Sequence, residues 1–231
     1  MKELDKIKKD LYNANQDLIN KKLVIQSFGN VSVRFEDFIL IKPSGVNLSK
    51  LDYKSMVPVN LSDKKYTGSF KPSSDTPTHI ELYKKYDDIQ SVVHTHSPYA
   101  TSWAQAGSPI PCFGTTHADF WKNKIPVTRK LKKKEIEADY EKNTGLVIIE
   151  TLEKLNIPPL DCPGVLVNNH GVFTWGKSPH NAIKNAEAVE MIAKMALNSL
   201  IINPDIKPIN KILHNKHFYR KHGDNKYYGQ E

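Results

Sequence analysis

"DIQSVVHTHSPYATSWAQAG", residues 88–107, decides how this chain is read. Its first half is a short apolar run with two adjacent valines, the pattern of a buried strand. Its second half opens with Ser97-Pro98 and closes at Gly107. A capping serine, a proline tolerated in the first turn and a terminating glycine predict a helix between them. A buried strand that runs straight into a helix belongs to a layered α/β or α+β domain. The same stretch carries His94 and His96 where the strand should end. Strand side chains alternate, so residues two apart share a face, and two imidazoles on one face can grip one ion. Such a pair also occurs as an ordinary surface or core pair, so partners have to be found.

Outward from this stretch, helix and strand signals continue to alternate. Leu4, Ile7, Leu11, Ala14 and Leu18 share one face of an amphipathic N-terminal helix. "VIQSFGNVSVRF" and "DFILIKPSG" read as strands with a Gly-Asn turn and a Pro-Ser-Gly turn, and "SSDTPTHIELYKKY", which opens with a capping residue and a proline, as a helix beginning at Thr76 or Pro77. "KKEIEADYEKNTGLVIIETLEKLN" reads mainly as helix. "GVLVNNHGVFTWG" reads as two strands about an Asn-Asn-His-Gly turn, and "SPHNAIKNAEAVEMIAKMALNSLII" as a long helix. No repeat, linker or low-complexity segment divides the chain, so residues 1–231 are read as one domain.

Composition narrows the function classes. The chain has 231 residues, 39% hydrophobic and 25% charged, which suits a soluble domain with a real core. It has no apolar run of about 18 residues to span a membrane, and its N-terminus lacks the apolar core of a signal peptide. Two cysteines, Cys112 and Cys162, have no motif spacing and read as reduced thiols in a cytoplasm. The net charge of +8 admits nucleic acid or an anionic small substrate. The densest basic stretch, "TRKLKKKEIE" at 128–137, has no interleaved aromatics for base stacking and reads as a solvated loop entering a helix. Nucleic acid is therefore not expected as a partner.

His170, in the "NNHG" turn, is the candidate third metal ligand, and Asp75 a fourth, weaker oxygen ligand. The other histidines, His79, His117, His180, His214 and His222, receive no metal role; His79 reads as packing in its helix or facing solvent. "GVFTWGKS", residues 171–178, matches the phosphate-loop pattern, but its middle residues favour a strand. "FGNVS", "KPSG" and "KPSSD" offer hydroxyls and backbone N–H groups able to hold an anion, with Lys42 and Lys71 nearby.

Together "FGNVS", "KPSGV", "KPSSDTPTH", "VVHTHSPYAT", "GTTHADF", "PGVLVNNHGVFTWG" and "YYGQ" resemble the L-ribulose-5-phosphate 4-epimerases of the class II aldolase/epimerase family, nearly end to end. The resemblance implies a three-layer α/β domain with a central, mainly antiparallel sheet flanked by helices. It implies a divalent metal, zinc above all, on Asp75, His94, His96 and His170. It implies a substrate pocket from Gly29, Asn30, Lys42, Ser44, Gly45, Ser73 and Ser74, and acid–base roles for Asp119 and Tyr228. It also implies a cytoplasmic homotetramer with sites between subunits, Asp119 and Tyr228 coming from the neighbour. Thr115, His217 and Arg220 resemble further residues near such a site. The implied reaction interconverts L-ribulose 5-phosphate and D-xylulose 5-phosphate in arabinose or ascorbate catabolism.

Inverting C4 of a 2-ketopentose phosphate is awkward, because its hydrogen is not next to the carbonyl. Enolisation cannot remove it, and no nicotinamide-binding motif is present to oxidise it. Cleaving and remaking the C3–C4 bond avoids both problems. It calls for a Lewis acid on the ketone fragment, one proton carrier on each face of the aldehyde, and a phosphate pocket that retains the aldehyde. An aldolase of the same family, acting on L-fuculose or L-rhamnulose phosphate, is the nearest rival; Asp75, where such aldolases tend to carry Glu, favours the epimerase.

Overall fold

The computed structural model describes residues 2–223 and 226–228. Helix α1 (Lys2–Asn20) leads into β1 (Asn30–Phe35), β2 (Phe38–Ile41) and β3 (Val57–Asn60). Then come α2 (Thr76–Lys85), β4 (Ser91–Thr95), α3 (Pro98–Ala106), the single turn α4 (Thr115–Ala118) and α5 (Lys133–Leu155). β5 (Gly164–Leu166), β6 (Val172–Gly176), α6 (Pro179–Ile202) and α7 (Lys211–Lys221) complete the order. Among the described residues no helix is long and apolar enough to cross a membrane.

The six strands form one sheet in the order β3-β2-β1-β4-β6-β5, and every neighbouring pair is antiparallel. Alternation sends Val31, Leu40 and Val93 to one face. There they pack with Leu11 and Leu18 of α1 and Ala182, Ile183 and Ala186 of α6. Burying a leucine fully contributes roughly 1.5–3 kcal/mol, so the expected apolar stripe is what docks α1. Ser32, Ile41, Val92 and Trp175 line the opposite face, which α2 and α5 cover with Ile80, Tyr83, Ile148 and Leu152. Two helical layers thus enclose the sheet.

Within Val24–Phe35 the regular strand starts at Asn30, at the expected Gly-Asn turn, and the residues before it are not strand. Gln26 has φ 57° and Gly29 φ 108°, which break the extended path. The tight approach of Gly29 to the His94 carbonyl, where a Cβ would stand at 2.9 Å, explains the glycine. β4 and α3 fall where the opening stretch predicted, with Gly107 left-handed at φ 65°. α2 starts at Thr76 with Pro77 in its first turn, as expected. The phosphate-loop look-alike is a buried strand, Val172–Gly176, and Ser178 caps α6 by accepting from the Asn181 amide at 3.2 Å.

Candidate metal centre

Residues opposite one another across the sheet bring the first ligand candidate into place. Asn30 of β1 pairs with His94 of β4, and His94 with Phe173 of β6. The His94 ring stacks on Phe173 with centroids 4.1 Å apart and planes 15° apart. His94 Nδ1 lies 3.0 Å from the Val172 carbonyl, so that nitrogen carries the proton and Nε2 is left bare. His96 follows just beyond the strand, its Nε2 3.0 Å from that of His94. His170 reaches in from the β5–β6 turn, where Asn169 adopts φ 60°. Its ring centroid is 4.8 Å from that of His94 and 5.0 Å from that of His96. One ligand nitrogen from each histidine falls within 4.8 Å of the others.

Such rings cannot all be charged. Burial first, and then repulsion from the neighbouring rings, pushes His96 down to about 4 and His170 down to about 3. Both are therefore neutral near pH 7, the state in which imidazole binds a metal. Two of the rings also have hydrogen-bond partners, Val172 O at Nδ1 of His94 and the Tyr140 hydroxyl, 3.3 Å from Nδ1 of His170. Backed imidazoles with inward nitrogens suit a divalent cation.

Asp75 occupies the cap position of α2, yet its carboxylate makes no capping hydrogen bond. Asn30 Nδ2 donates to Asp75 Oδ2 at 2.6 Å. Burial pushes the carboxyl up, but His94, His79, the Asn30 amide and His170 outweigh it and hold it below the usual carboxylate range. Asp75 is thus an ionised group beside the histidines, although it stands outside their compact cluster. Asn30 Oδ1 is buried with no hydrogen-bond partner, an unused acceptor at the same place.

The two Lys-Pro-Ser turns lie side by side. Ser44 N–H donates to the Lys71 carbonyl at 2.9 Å, Ser73 N–H to the Lys42 carbonyl at 3.0 Å, and Pro43 bridges Pro72. This ladder gathers Ser44, Gly45, Ser73 and Ser74, and the Ser73 hydroxyl accepts from Asn30 Nδ2 at 3.3 Å. Lys42 is only 2% exposed, and its Nζ donates to the Pro43 and Val46 carbonyls at 3.3 and 3.4 Å. Burial lowers its pKa, with Asp75 opposing.

The expected acid–base residues form a second cluster. Asp119, at the end of α4, accepts from Arg220 Nη2 at 2.8 Å and Nε at 3.1 Å, and lies 3.1 Å from His217 Nδ1. Burial pushes its carboxyl up, but the Arg220 and His217 hydrogen bonds and the Lys221 charge hold it below its usual range. The Arg220 guanidinium sits 4.3 Å from the Tyr228 ring centroid. Asp119, Lys221 and Tyr228 line a cleft of about 630 Å³ whose lining includes none of the three clustered histidines. Thr115 contributes its carbonyl to the Asp119 N–H at 3.0 Å. Gly229 and Gln230 of the terminal motif lie outside the described residues.

The sequence reading missed Tyr140, the partner of His170, and Phe173, the platform of His94. It treated His79 as packing or solvent-facing; it is fully buried, with Nδ1 2.7 Å from Ser32 Oγ and burial pushing it down to about 3.

Residues 9–197 match the family described as Class II Aldolase and Adducin N-terminal domain. The chain is 48% identical over 230 residues to a protein of Salmonella paratyphi C (strain RKS4594) named L-ribulose-5-phosphate 4-epimerase UlaF. The match covers 99% of this chain and 100% of that one. A protein of the same name from Salmonella choleraesuis (strain SC-B67) matches equally. Among solved structures, an L-fuculose 1-phosphate aldolase superposes with a TM-score of 0.78 at 21% identity, over 93% of this chain and 95% of that one. An L-fuculose-1-phosphate aldolase from Thermus thermophilus gives 0.65 at 19% identity, over 87% and 97%. These last two likenesses concern the fold.

Proposed function

The chain belongs to the class II aldolase family, and on that premise we propose that it is an epimerase interconverting L-ribulose 5-phosphate and D-xylulose 5-phosphate. The observation that carries the reading is the convergence of His94, His96 and His170 beside Asp75, in a chain matching its epimerase-named relatives end to end. Residues 1–231 act as one domain in pentose catabolism in the cytoplasm.

His94, His96 and His170, with Asp75, would hold a divalent cation, Zn2+ in this reading. Bound there, it supplies Lewis-acid stabilisation of the negative charge that develops as the C3–C4 bond breaks. Neutral His96 and His170 and an ionised Asp75 keep these ligands free of competing protons. The paired turns, through Ser44, Gly45, Ser73, Ser74 and Lys42, hold the phosphate and retain the aldehyde fragment while it turns over. Binding energy far from the reacting carbon is spent on that retention. Gly29 and Asn30 border the same pocket, and Asn30 orients Asp75 through its hydrogen bond.

Asp119 and Tyr228 carry the C4 hydroxyl proton, one on each face of the aldehyde. Arg220 touches both and keeps Asp119 ionised, able to accept a proton. In this reading the working unit is a homotetramer in which a neighbour supplies both residues to the histidine site.

The test is conversion of L-ribulose 5-phosphate by purified protein, by chelated protein, and after adding back Zn2+ or Mn2+, with free glycolaldehyde phosphate measured alongside. Metal-dependent D-xylulose 5-phosphate without released aldehyde is expected. Absence of conversion with full metal loading would overturn the assignment and make the aldolase activity the next assay.

A further inference from the structure

We propose that the break within helix α5 is part of the metal centre, with Tyr140 as the positioning residue for His170. This rests on the metal-site reading above and adds a residue to it. α5 is interrupted at Asp139, where φ −145° and ψ 80° leave the helical region. Such a break forfeits backbone hydrogen bonds, and here side chains replace them. Asn143 Nδ2 donates to the Glu135 carbonyl across the break at 2.9 Å, and Asp139 Oδ1 accepts from the Lys142 amide at 3.4 Å.

The segment restarting at Tyr140 touches both halves of the site. On one side the Tyr140 hydroxyl is 3.3 Å from His170 Nδ1, with the rings 6.0 Å apart. On the other, Thr78 Oγ1 donates to the Glu141 carbonyl at 2.5 Å, and Thr78 lies three residues beyond Asp75 in the first turn of α2. The helices meet closely at Gly145, where a Cβ would stand 2.9 Å from both the Thr78 carbonyl and Glu81 Cβ. The restart therefore ties the Asp75 helix to the His170 turn.

The hydroxyl has a definite job. With the bond at Nδ1, His170 carries its proton there, donates it to Tyr140 Oη, and presents Nε2 inward. The phenol oxygen keeps lone pairs free to accept this bond. A continuous helix through Asp139 would change the direction in which Tyr140 leaves the axis and withdraw that acceptor.

The test compares wild type with Tyr140→Phe, which removes one oxygen and keeps the ring. Affinity for Zn2+ alone is read by chelator competition, and ligand geometry from the visible spectrum of the Co2+-loaded protein. Loss of an outer-shell partner lowers affinity by about 10–100-fold. Tyr140→Phe is expected to fall in that range and to shift the Co2+ bands, with the melting temperature of the metal-free protein unchanged. Thr78→Val, which unties the restart and leaves the hydroxyl, is expected to weaken Zn2+ binding by a smaller factor. Equal Zn2+ affinity and identical Co2+ spectra in wild type and Tyr140→Phe would overturn the role of Tyr140. A wild type that holds no Zn2+ would instead overturn the metal reading beneath it.

Discussion

Gly171→Ala tests how tightly the histidines are held, because the added methyl group points into them. A Cβ there would lie 2.6 Å from the Thr95 carbonyl oxygen, 3.2 Å from His94 Cε1 and 3.3 Å from His96 Cδ2. Ordinary carbon contacts are roughly 3.5–4.0 Å, so each ring must give way by a few tenths of an ångström and the carbonyl by more. β4 cannot yield freely, since it is hydrogen-bonded to β1 on one side and β6 on the other. The β5–β6 turn moves instead and takes His170 with it. Overpacking of this kind costs about 1–3 kcal/mol, and at about 2–4 °C per kcal/mol for a chain of this size the melting temperature falls by about 2–12 °C. Displacing a reacting group by about 1 Å costs on the order of 10²-fold in rate, which sets the scale for turnover. Thermal melts of chelated and Zn2+-loaded protein, with a chelator-competition titration, read both effects. A variant melting within about 1 °C of wild type and binding Zn2+ equally well would refute the claim that this turn is fixed by contact.

His96→Asn is expected to abolish turnover and to weaken metal binding by more than the ~10–100-fold of an outer-shell loss; unchanged turnover by the purified variant would sink that ligand assignment. Tyr228→Phe should slow epimerisation by about 10²–10⁴-fold, the usual span of a proton carrier, with metal content by elemental analysis unchanged; metal loss would count against the role. For pH, His79 and His117 are pushed by burial to about 3 and about 4. Above their ordinary value of about 6.5, neither folded nor unfolded chain binds these protons and nothing changes. As pH falls from there towards about 4, the unfolded chain takes protons that the folded one refuses, so stability drops by up to about 1.4 kcal/mol per unit per residue. Denaturant melts of chelated protein from pH 7 to pH 5 should show that decline, and His79→Gln should make it shallower; equal slopes would refute the assignment.

Much of the fold was legible because its signals are periodic or punctuated. The stripe from Leu4 to Leu18 gave α1, and Ser-Pro pairs marked the starts of α3 and α6. Period two placed His94 correctly, while His96 joined it from just beyond the strand. What failed to show was conformation lacking a local signature. Asp139 resembles any other polar residue of a charged helix, so neither its break nor the placement of Tyr140 could be read from composition. Asp75 reads in sequence as a weak oxygen ligand; it holds the cap position of α2 without capping it, and His94, His79, Asn30 and His170 keep its carboxylate ionised against burial. The Asp119, His217 and Arg220 cluster joins residues about a hundred positions apart. Only a resemblance spanning the whole chain could bring those residues to notice together.

Asn30 Nδ2 has two hydrogens, one directed to Asp75 and one to the Ser73 hydroxyl. A single amide therefore spans the carboxylate beside the histidines and the serine-rich turn. A ligand that draws on the Ser73 hydroxyl turns the same amide and so moves the hydrogen directed at Asp75. A cation held beside Asp75 and an anion held at Ser73 would be coupled through this amide, each changing the other's affinity by the same factor. An anion titrated with and without added Zn2+ would then show two different affinities.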